Sequence, residues 1–520
     1  MSAADAAALA LAVAGIVLAT VRWLRVAQRE HYVLGEPTRF AWRWWASSLP
    51  NAALGTAAVA AAVAAAWWAP AAFVAAAVAM AGPIGLGLRG RTGRLAWTRR
   101  LTTLAVASVV VEAVAIGIGA LAGGLAGAAA AAAATAIASP LGVDLALVLT
   151  HPVEEAVARR YVARARARLE RVRPLVVAVT GSYGKTTVKG YIAHLAAPFF
   201  TVLPSPRSFN NRAGLARTVN EHLGPGTEVL VAEMGTYGPG EIAAMCKWVR
   251  PEISVMTAIG PAHLQRFRSL DRTLAAKAEI TETARTVVLN VDDERLRGLA
   301  PVLRAAGKKV IEASGSNEVA DVAVIGADEG LELRIEGRRV GAAFVPAPEM
   351  PTSLSNAACA AAVALELGVA PDQILARLAN LPLPPNRLQR YMADGGYVVY
   401  DDTFNSNPTG ARIGLARLKS DPEVAPAGRR VVVTPGMVEL GPLQHRENAQ
   451  LGETAARVAD HLVIVARTNR RALLEGVARA PGGAVVTTVD RFDQALDWVR
   501  TNLGPGDAVL YENDLPDHFP

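Results

Sequence analysis

An α-helical membrane block followed by two α/β domains is the architecture that this 520-residue sequence predicts. Three observations carry that expectation. The first 150 residues or so are mostly Ala, Val, Leu and Gly, with most of the charge in Arg-rich segments. After Pro174 the pattern changes to short β-branched runs alternating with helix-like segments, the signature of parallel sheets with crossover helices. At that change stands "VVAVTGSYGKTTVKG", residues 176–190, which reads as strand, glycine-rich turn and helix start.

The block covers residues 1–150. "ADAAALALAVAGIVLATV" is apolar for about one bilayer crossing, and Arg22 and Arg25 close it. It lacks a basic n-region and is followed by further apolar stretches, which argues against a cleaved signal peptide. A basic segment with Arg22, Arg25, Arg29, Arg39 and Arg43 then ends in the interface-like "WRWW". Spans are expected at about 52–68 and 70–88, broken by "WWAP", and at about 101–122 and 124–148, parted by "GG". The second basic loop, "RGRTGRLAWTRR", separates the two pairs. The positive-inside rule puts both basic segments in the cytoplasm. About five spans then leave the N-terminus outside and the long C-terminal part in the cytoplasm, as in a multi-pass plasma-membrane protein. Glu112 falls inside a span, where a carboxylate is costly; a transport role and a partner on another helix both fit it. Residues 151–173 read as a basic amphipathic connector helix, suited equally to anionic lipid and to solvent.

Lys and Arg number 53 against 46 Asp and Glu, a net charge of +7. The excess is mostly Arg in the first hundred residues and the connector, so it speaks of membrane topology. No basic run is interleaved with aromatics, and no nucleic-acid partner is expected. Cys246 and Cys359 have no CxxC spacing and read as buried thiols of a reduced compartment.

In the first α/β domain, residues 174–383, "LVVAVT", "EVLVAEM", "ISVMTAIG" and "TVVLNV" are the expected strands. The second, residues 384–520, has "YVVYDD", "RRVVVTPG", "HLVIVA", "AVVTTV" and "DAVLYEN". "PLPPNR" marks the boundary. In "TGSYGKTT" the strand ends at Thr180, and Gly181 and Gly184 let the backbone of Ser182 and Tyr183 curl around phosphate. Lys185 supplies a point charge to the terminal phosphates, Thr186 has the place of a magnesium-binding hydroxyl, and Thr187 follows it. Val179 stands where the longer Walker form has glycine, so this is the shorter G-x-x-G-K-T form. Glu233 ends the apolar "VLVAEM" beside that loop, where a carboxylate can hold magnesium. His263, after "IGPA", is a second strand-end ligand candidate.

These motifs are followed in order by "SFNNRAGL", "VAEMGTYGPGEI", "AIGPAHLQRFRSLDRTLAAKAEI", "VLNVDD", "PPNR", "YDDTFNSNP" and "VTPGMVELGPLQH". Over roughly residues 174–500 the chain resembles the Mur ligase family, closest to the branch that adds D-alanyl-D-alanine to a muramyl peptide. The resemblance implies a P-loop central domain and a Rossmann-like C-terminal ligase domain. It implies ATP and two Mg2+ ions, held by Thr186, Glu233, His263 and a carbamylated Lys277. Lys185, Lys277 and Arg387 form the implied catalytic set. Asn290 matches the adenine-contacting asparagine, Asp402 the ribose or phosphate partner, and Asn210, Asn211, Asn405 and Asn407 substrate-side positions. Phe404 replaces the usual tyrosine of its motif. Glu439 and His445 stand in familiar places as supports. The implied reaction transfers the γ-phosphate to a substrate carboxylate, and an amino-acid or dipeptide amine then attacks the acyl phosphate. Closure about "PLPPNR" would assemble the site.

Two departures bear on the substrate. The membrane block occupies the place of the family's uridine-nucleotide-binding first domain, which is compatible with a lipid-linked carboxylated acceptor. After the last strand, the expected Lys and Arg give way to Glu512, Asp514 and Asp517. That acidic end fits a cationic amine, a metal or a plain exposed terminus. Three alternatives stand beside the D-alanyl-D-alanine reaction: a poly-γ-glutamate-type ligase, a transport ATPase and a silent membrane scaffold. No LSGGQ-type signature supports a transporter, and the intact Lys185, Thr186, Glu233, His263, Lys277 and Arg387 set speaks against a scaffold.

Overall fold

The computed structural model describes residues 3–68, 70–88, 95–328, 330–346, 350, 353–382, 386–404, 406–515 and 518–519. They form two units, Met1–Val157 with Leu515–Pro520, and Ala158–Asp514. Residues 89–94 of the second basic loop, 383–385 of "PLPPNR", Asn405 and Asp517 lie outside the described residues.

The first unit is helical: α1 (Ala3–Arg29), α2 (Glu36–Trp45), α3 (Leu49–Ala64), α4 (Ala71–Ala81) and α5 (Arg99–Val172). Gly123 and Gly124 leave helical geometry and break α5 where the sequence placed a turn. Among the described residues two helices are long and apolar enough to cross a membrane, or three if the bent pair α2 and α3 counts as one. The expected spans at 52–68 and 70–88 are instead helices of 16 and 11 residues. At 1.5 Å per residue these reach about 24 Å and 16 Å, short of a ~30 Å hydrocarbon layer. Hydropathy did not reveal where Ala-rich helices stop, because packing partners set those ends. Gly15 lets α1 approach α4, since a Cβ there would meet the Ala76 carbonyl at 3.2 Å.

Arg22 and Arg25 also differ from the expectation of loop residues: both lie within α1 and are buried. The Arg22 guanidinium donates to the carbonyls of Ala79, Met80, Ala81 and Leu86 at 2.8–3.1 Å. It thereby satisfies the orphan acceptors at the C-terminus of α4, where a cation also meets the negative helix end. Asp144 does the converse for α2, accepting from the Gly35 and Thr38 N–H groups at 2.7 and 3.1 Å. Glu112 accepts from Thr20 at 2.5 Å, a helix-to-helix partner. The expected connector is continuous with α5, whose residues from Ala158 belong to the second unit.

The second unit holds two sheets. The larger has strands β1 (Leu175–Thr180), β2 (Val202–Pro204), β3 (Val229–Glu233), β4 (Ile253–Met256), β5 (Thr286–Asn290), β6 (Lys309–Ser314), β7 (Val322–Ala327), β8 (Gly330–Ile335) and β9 (Arg338–Phe344). Their order is β2-β3-β1-β4-β5-β6-β7-β8-β9. The first seven pair in parallel and the last two are antiparallel additions. Strands β1 and β3–β5 are continuous Val, Ile and Leu runs buried on both faces, as parallel strands require. The end of α5 covers one face, with Arg168 donating to the Leu223 and Asn220 carbonyls at 2.7 and 3.1 Å.

The smaller sheet has β10 (Gln389–Met392), β11 (Val398–Asp402), β12 (Arg430–Thr434), β13 (His461–Val465), β14 (Val485–Val489) and β15 (Ala508–Glu512), in the order β10-β11-β15-β12-β13-β14. All five sequence-predicted strands are present, and β10 joins antiparallel at the edge. The chain end differs from the expected boundary. Leu515, His518 and Phe519 group with the first unit, where Glu30 and His518 pair at 2.7 Å and Trp44 Nε1 donates to the His518 carbonyl at 2.7 Å.

Candidate active site

The site begins at the carboxyl ends of the parallel strands. β1 sits between β3 and β4, so Val179 lies opposite Glu233 and Thr180 opposite Met256. That is a switch point of the sheet, where ligands bind in α/β folds. From Thr180 the chain turns through Gly181, Ser182, Tyr183 and Gly184 into α6 (Lys185–Ala196). Gly181 and Gly184 have φ of +155° and +78°. A Cβ at Gly181 would fall on Thr257 Oγ1, and one at Gly184 on the Asn356 side chain. Glycine is therefore required at both, and the turn leads straight into the N-terminus of α6, the end of a helix that suits an anion. The loop is fixed from the β4 side, with Ser182 and Gly260 exchanging hydrogen bonds at 2.9 and 3.1 Å and Thr257 Oγ1 donating to the Tyr183 carbonyl.

On α6, Lys185 Nζ donates to the Gly181 carbonyl at 2.7 Å and so lies folded across the loop. Burial lowers its pKa; Glu233 opposes that and Arg387 adds to it. Thr186 Oγ1 donates to Glu233 Oε2 at 3.0 Å. Lys189, one helical turn beyond Lys185, reaches the same oxygen at 2.9 Å, and Asn210 Nδ2 donates to Oε1 at 3.1 Å. Burial alone would raise the Glu233 carboxyl, but Lys189, Lys185 and the Asn210 amide outweigh it and hold it below the usual range. Arg387 reaches Thr186 Oγ1 at 3.5 Å and stacks 4.3 Å from the Phe404 ring centroid. Lys277, on the helix Leu270–Ala278, is buried, and burial followed by the Lys185 charge pushes its pKa well down. Lys185, Thr186, Glu233 and Arg387 thus meet at one point.

His263 does not join that group. Its Nδ1 pairs with Glu439, and its ring packs edge-on to Tyr237 at 5.1 Å. Among the described residues no three His, Cys, Asp or Glu side chains gather as a metal cluster. The donor chemistry nevertheless fits one hard cation, because a hydroxyl and an ionised carboxylate 3.0 Å apart at a phosphate loop match the oxygen ligands of Mg2+.

A cleft of about 640 Å³ opens over the loop, lined by Tyr183, Gly184, Thr187, Asn290, Arg387 and Asp402 among others. Asn290 spends its amide on the protein, donating to the Thr257 carbonyl at 2.7 Å and accepting from the Asp292 N–H at 3.1 Å. Asp402 accepts from the Leu388 N–H at 3.1 Å, and burial raises its pKa to about 6 against the pull of Arg387. Asn407 lines the cleft and caps the helix Pro408–Ser420 through the Gly410 N–H at 2.9 Å. Asn211 caps the helix Arg212–His222 at 2.8 Å, and Asn405 lies outside the described residues. Glu512 is no part of an exposed acidic end: it is fully buried, bonded to Ser406, and raised well above the carboxylate range by burial and then by Asp402. Asp514 lies against the same edge, its N–H donating to the Thr403 carbonyl at 3.1 Å.

Sequence reading missed Lys189, whose i+4 spacing from Lys185 was the available signal. It also missed Asn356 and the cleft arginines Arg412 and Arg446, which carry no local motif.

One α/β lobe holds a phosphate loop with its carboxylate, and the other brings an arginine to the same hydroxyl. That division of labour defines a nucleotide-dependent ligase with a P-loop. The Mur ligase middle domain model matches residues 179–364, and the model of the Mur ligase glutamate ligase domain matches 386–511. The UDP-N-acetylmuramoyl-tripeptide--D-alanyl-D-alanine ligase of Mycobacterium tuberculosis (strain ATCC 25618 / H37Rv) is 34% identical over 358 residues, 64% of this chain and 69% of that one. The Bacillus subtilis enzyme of the same name is 27% identical over 353 residues, 67% and 75% of the two chains. The structure of MurF ligase from Thermotoga maritima in complex with ADP matches with a TM-score of 0.58 at 25% identity, over 69% of this chain and 80% of that one. The chain belongs to the Mur ligase family, the ATP-dependent carbon–nitrogen ligases. Neither family model reaches the N-terminal block.

Proposed function

We propose that this chain is a membrane-anchored, ATP-dependent amide ligase of peptidoglycan synthesis, joining an amine to a carboxylated acceptor through an acyl phosphate. D-alanyl-D-alanine is the amine on the precedent of the relatives' names, and a muramyl peptide, soluble or lipid-linked, is the acceptor. The observation that carries the reading is the convergence of Lys185, Thr186, Glu233 and Arg387 from two lobes.

ATP would lie with its phosphates on the loop N–H groups and its base toward Asn290. Lys185 leaves the Gly181 carbonyl for the terminal phosphates, and Arg387 offers a planar fork to the transferring phosphoryl group. The acceptor carboxylate oxygen attacks the γ-phosphorus and ADP leaves. The amine then attacks the acyl carbon, loses a proton, and phosphate departs with the former carboxylate oxygen. Thr186 and Glu233 would hold one Mg2+, which supplies charge neutralisation at the phosphates. Lys277 is suited to carbamylation, since only a neutral amine adds CO2 and burial favours that form. A carbamate there would supply oxygen ligands for a second ion. The α1 and α5 helices support anchoring by length and composition, with the ligase unit on the cytoplasmic side where ATP is available.

The test is ADP release by the detergent-solubilised protein with Mg2+, comparing UDP-muramyl tripeptide with lipid-linked wall precursor, each with and without D-alanyl-D-alanine. Turnover that requires both acceptor and amine supports the ligase. Turnover indifferent to both overturns it, and the preferred acceptor identifies what the block is for.

A further inference from the structure

A second cleft, of about 360 Å³, lies in the first unit. Its walls come from three places that share one chemical boundary. Tyr32 and Leu34 follow the end of α1, Arg100 and Leu104 open α5, and Leu147 to Glu154 lie where α5 turns from apolar to charged. The floor is apolar, with Leu104 and Leu147 buried. The mouth is polar, with Arg100, His151, Thr150 and Glu154.

Arg100 is the informative residue. Its guanidinium lies 4.2 Å from the Tyr32 ring centroid, a stacked position that fixes its plane. The Tyr32 hydroxyl is itself held, with Gln28 Nε2 donating to it at 3.3 Å. The nearest acid to Arg100 is Glu154, at 3.8 Å, a loose pair that leaves guanidinium N–H groups for another acceptor. About 46% of the Arg100 side chain is exposed. Beside the mouth, Leu34, Val148 and Leu149 expose apolar side chains on the outside of the helices. A cation over an apolar floor, open to an apolar outer wall, matches an amphiphile with an anionic head and does not match a free ion.

We propose that this cleft holds the phosphate-bearing headgroup of a membrane lipid, with Arg100 and His151 on the phosphate and Leu104 and Leu147 against the first chain carbons. The inference rests on the membrane reading of the block, because headgroup depth is where apolar helices turn charged. Lipid bound there would fix the end of α1 against the middle of α5, the helix that continues into the ligase unit.

The experiment uses the full chain in detergent and reads the thermal shift on adding phosphatidylglycerol, diacylglycerol with the same chains, or glycerol phosphate. Expected is a shift with phosphatidylglycerol alone, with Arg100→Gln weakening apparent affinity about tenfold, the worth of one charge-assisted pair. Leu147→Trp, which fills the floor and keeps the charge, should weaken it as well. An equal response in Arg100→Gln, or an equal response to diacylglycerol, would overturn the site. So would a full response to glycerol phosphate, which would mean a plain anion site. Vesicle flotation of wild type and Arg100→Gln separates the two ideas. If both float, the membrane reading stands whatever the thermal shifts show; if neither floats, that reading fails first.

Discussion

The ligase unit and the helical block are held together by different physics. In the ligase unit, β1, β3, β4 and β5 bury continuous branched side chains on both faces, each contributing about 1.5–3 kcal/mol when fully buried. Polar chemistry is confined to the strand ends. In the block, the contact between α1 and α4 is largely alanine, with Ala8, Ala12, Ala72, Ala75 and Ala76 fully enclosed. Each alanine buries little area, so close approach and a few buried polar anchors do more of the specifying. A framework built on branched side chains can carry a reactive site at its edge. A contact built on small ones depends on anchors such as Arg22 and Asp144.

The sharpest way to break this contrast is Lys185→Ala. Loss of the phosphate-side cation should lower amide formation by about a hundred- to a thousandfold, while the melting of the block stays unchanged. A parallel loss of block stability would show that the two regions are not independent. Next in size is Arg22→Leu, which leaves three carbonyl groups at the end of α4 and that of Leu86 without their donor. The expected cost is about 2–3 kcal/mol, read as a lower melting temperature, with nucleotide affinity of the ligase unit unmoved.

Arg387→Lys sharpens the ligase side. It keeps the charge and loses the planar fork and the Phe404 stack. A fall in kcat of about tenfold is expected with little change in the KM for ATP, since the fork matters most to the transferring phosphoryl group. The smallest effect is a pH limb. Asp402, raised to about 6 by burial, is neutral below that pH and ionised above it. If its charge serves the nucleotide, activity falls as pH drops through about 6, well above the ~3.9 of a free aspartate, and Asp402→Asn abolishes that limb. The same shift works against folding: the carboxyl's contribution to stability is lost as pH rises from about 4 to about 6.

How much of this was legible follows the same divide. The glycine-rich turn and Glu233 were legible because such a turn sets residues at fixed spacing from a strand end, and Arg387 only through the resemblance of its motif; their meeting at Thr186 is what the structure adds. The pairing of His263 with Glu439, some 176 residues apart, was not. Sequence order suggested a metal ligand there, and only the approach of the two lobes shows which partner reaches the imidazole. The strands β7, β8 and β9 were not legible either; β8 and β9 are the antiparallel additions, and β9 is mostly exposed and lacks a branched run. In the block the break at Gly123 and Gly124 was visible, whereas the short α3 and α4 were not, since an unbroken alanine stretch carries no mark of its packing partner. Arg22 was misread for a related reason: hydropathy counts a charge and cannot see four carbonyl groups waiting for it.

The most direct measurement is the fate of a labelled carboxylate. Acceptor carrying 18O in its carboxyl group, incubated with the full-length protein, ATP, Mg2+ and D-alanyl-D-alanine, should deliver one 18O to each phosphate released, and only when the amine is present. Unlabelled phosphate would mean that water, not the acceptor, takes the γ-phosphoryl group, and the chain would then be an ATPase on a ligase fold.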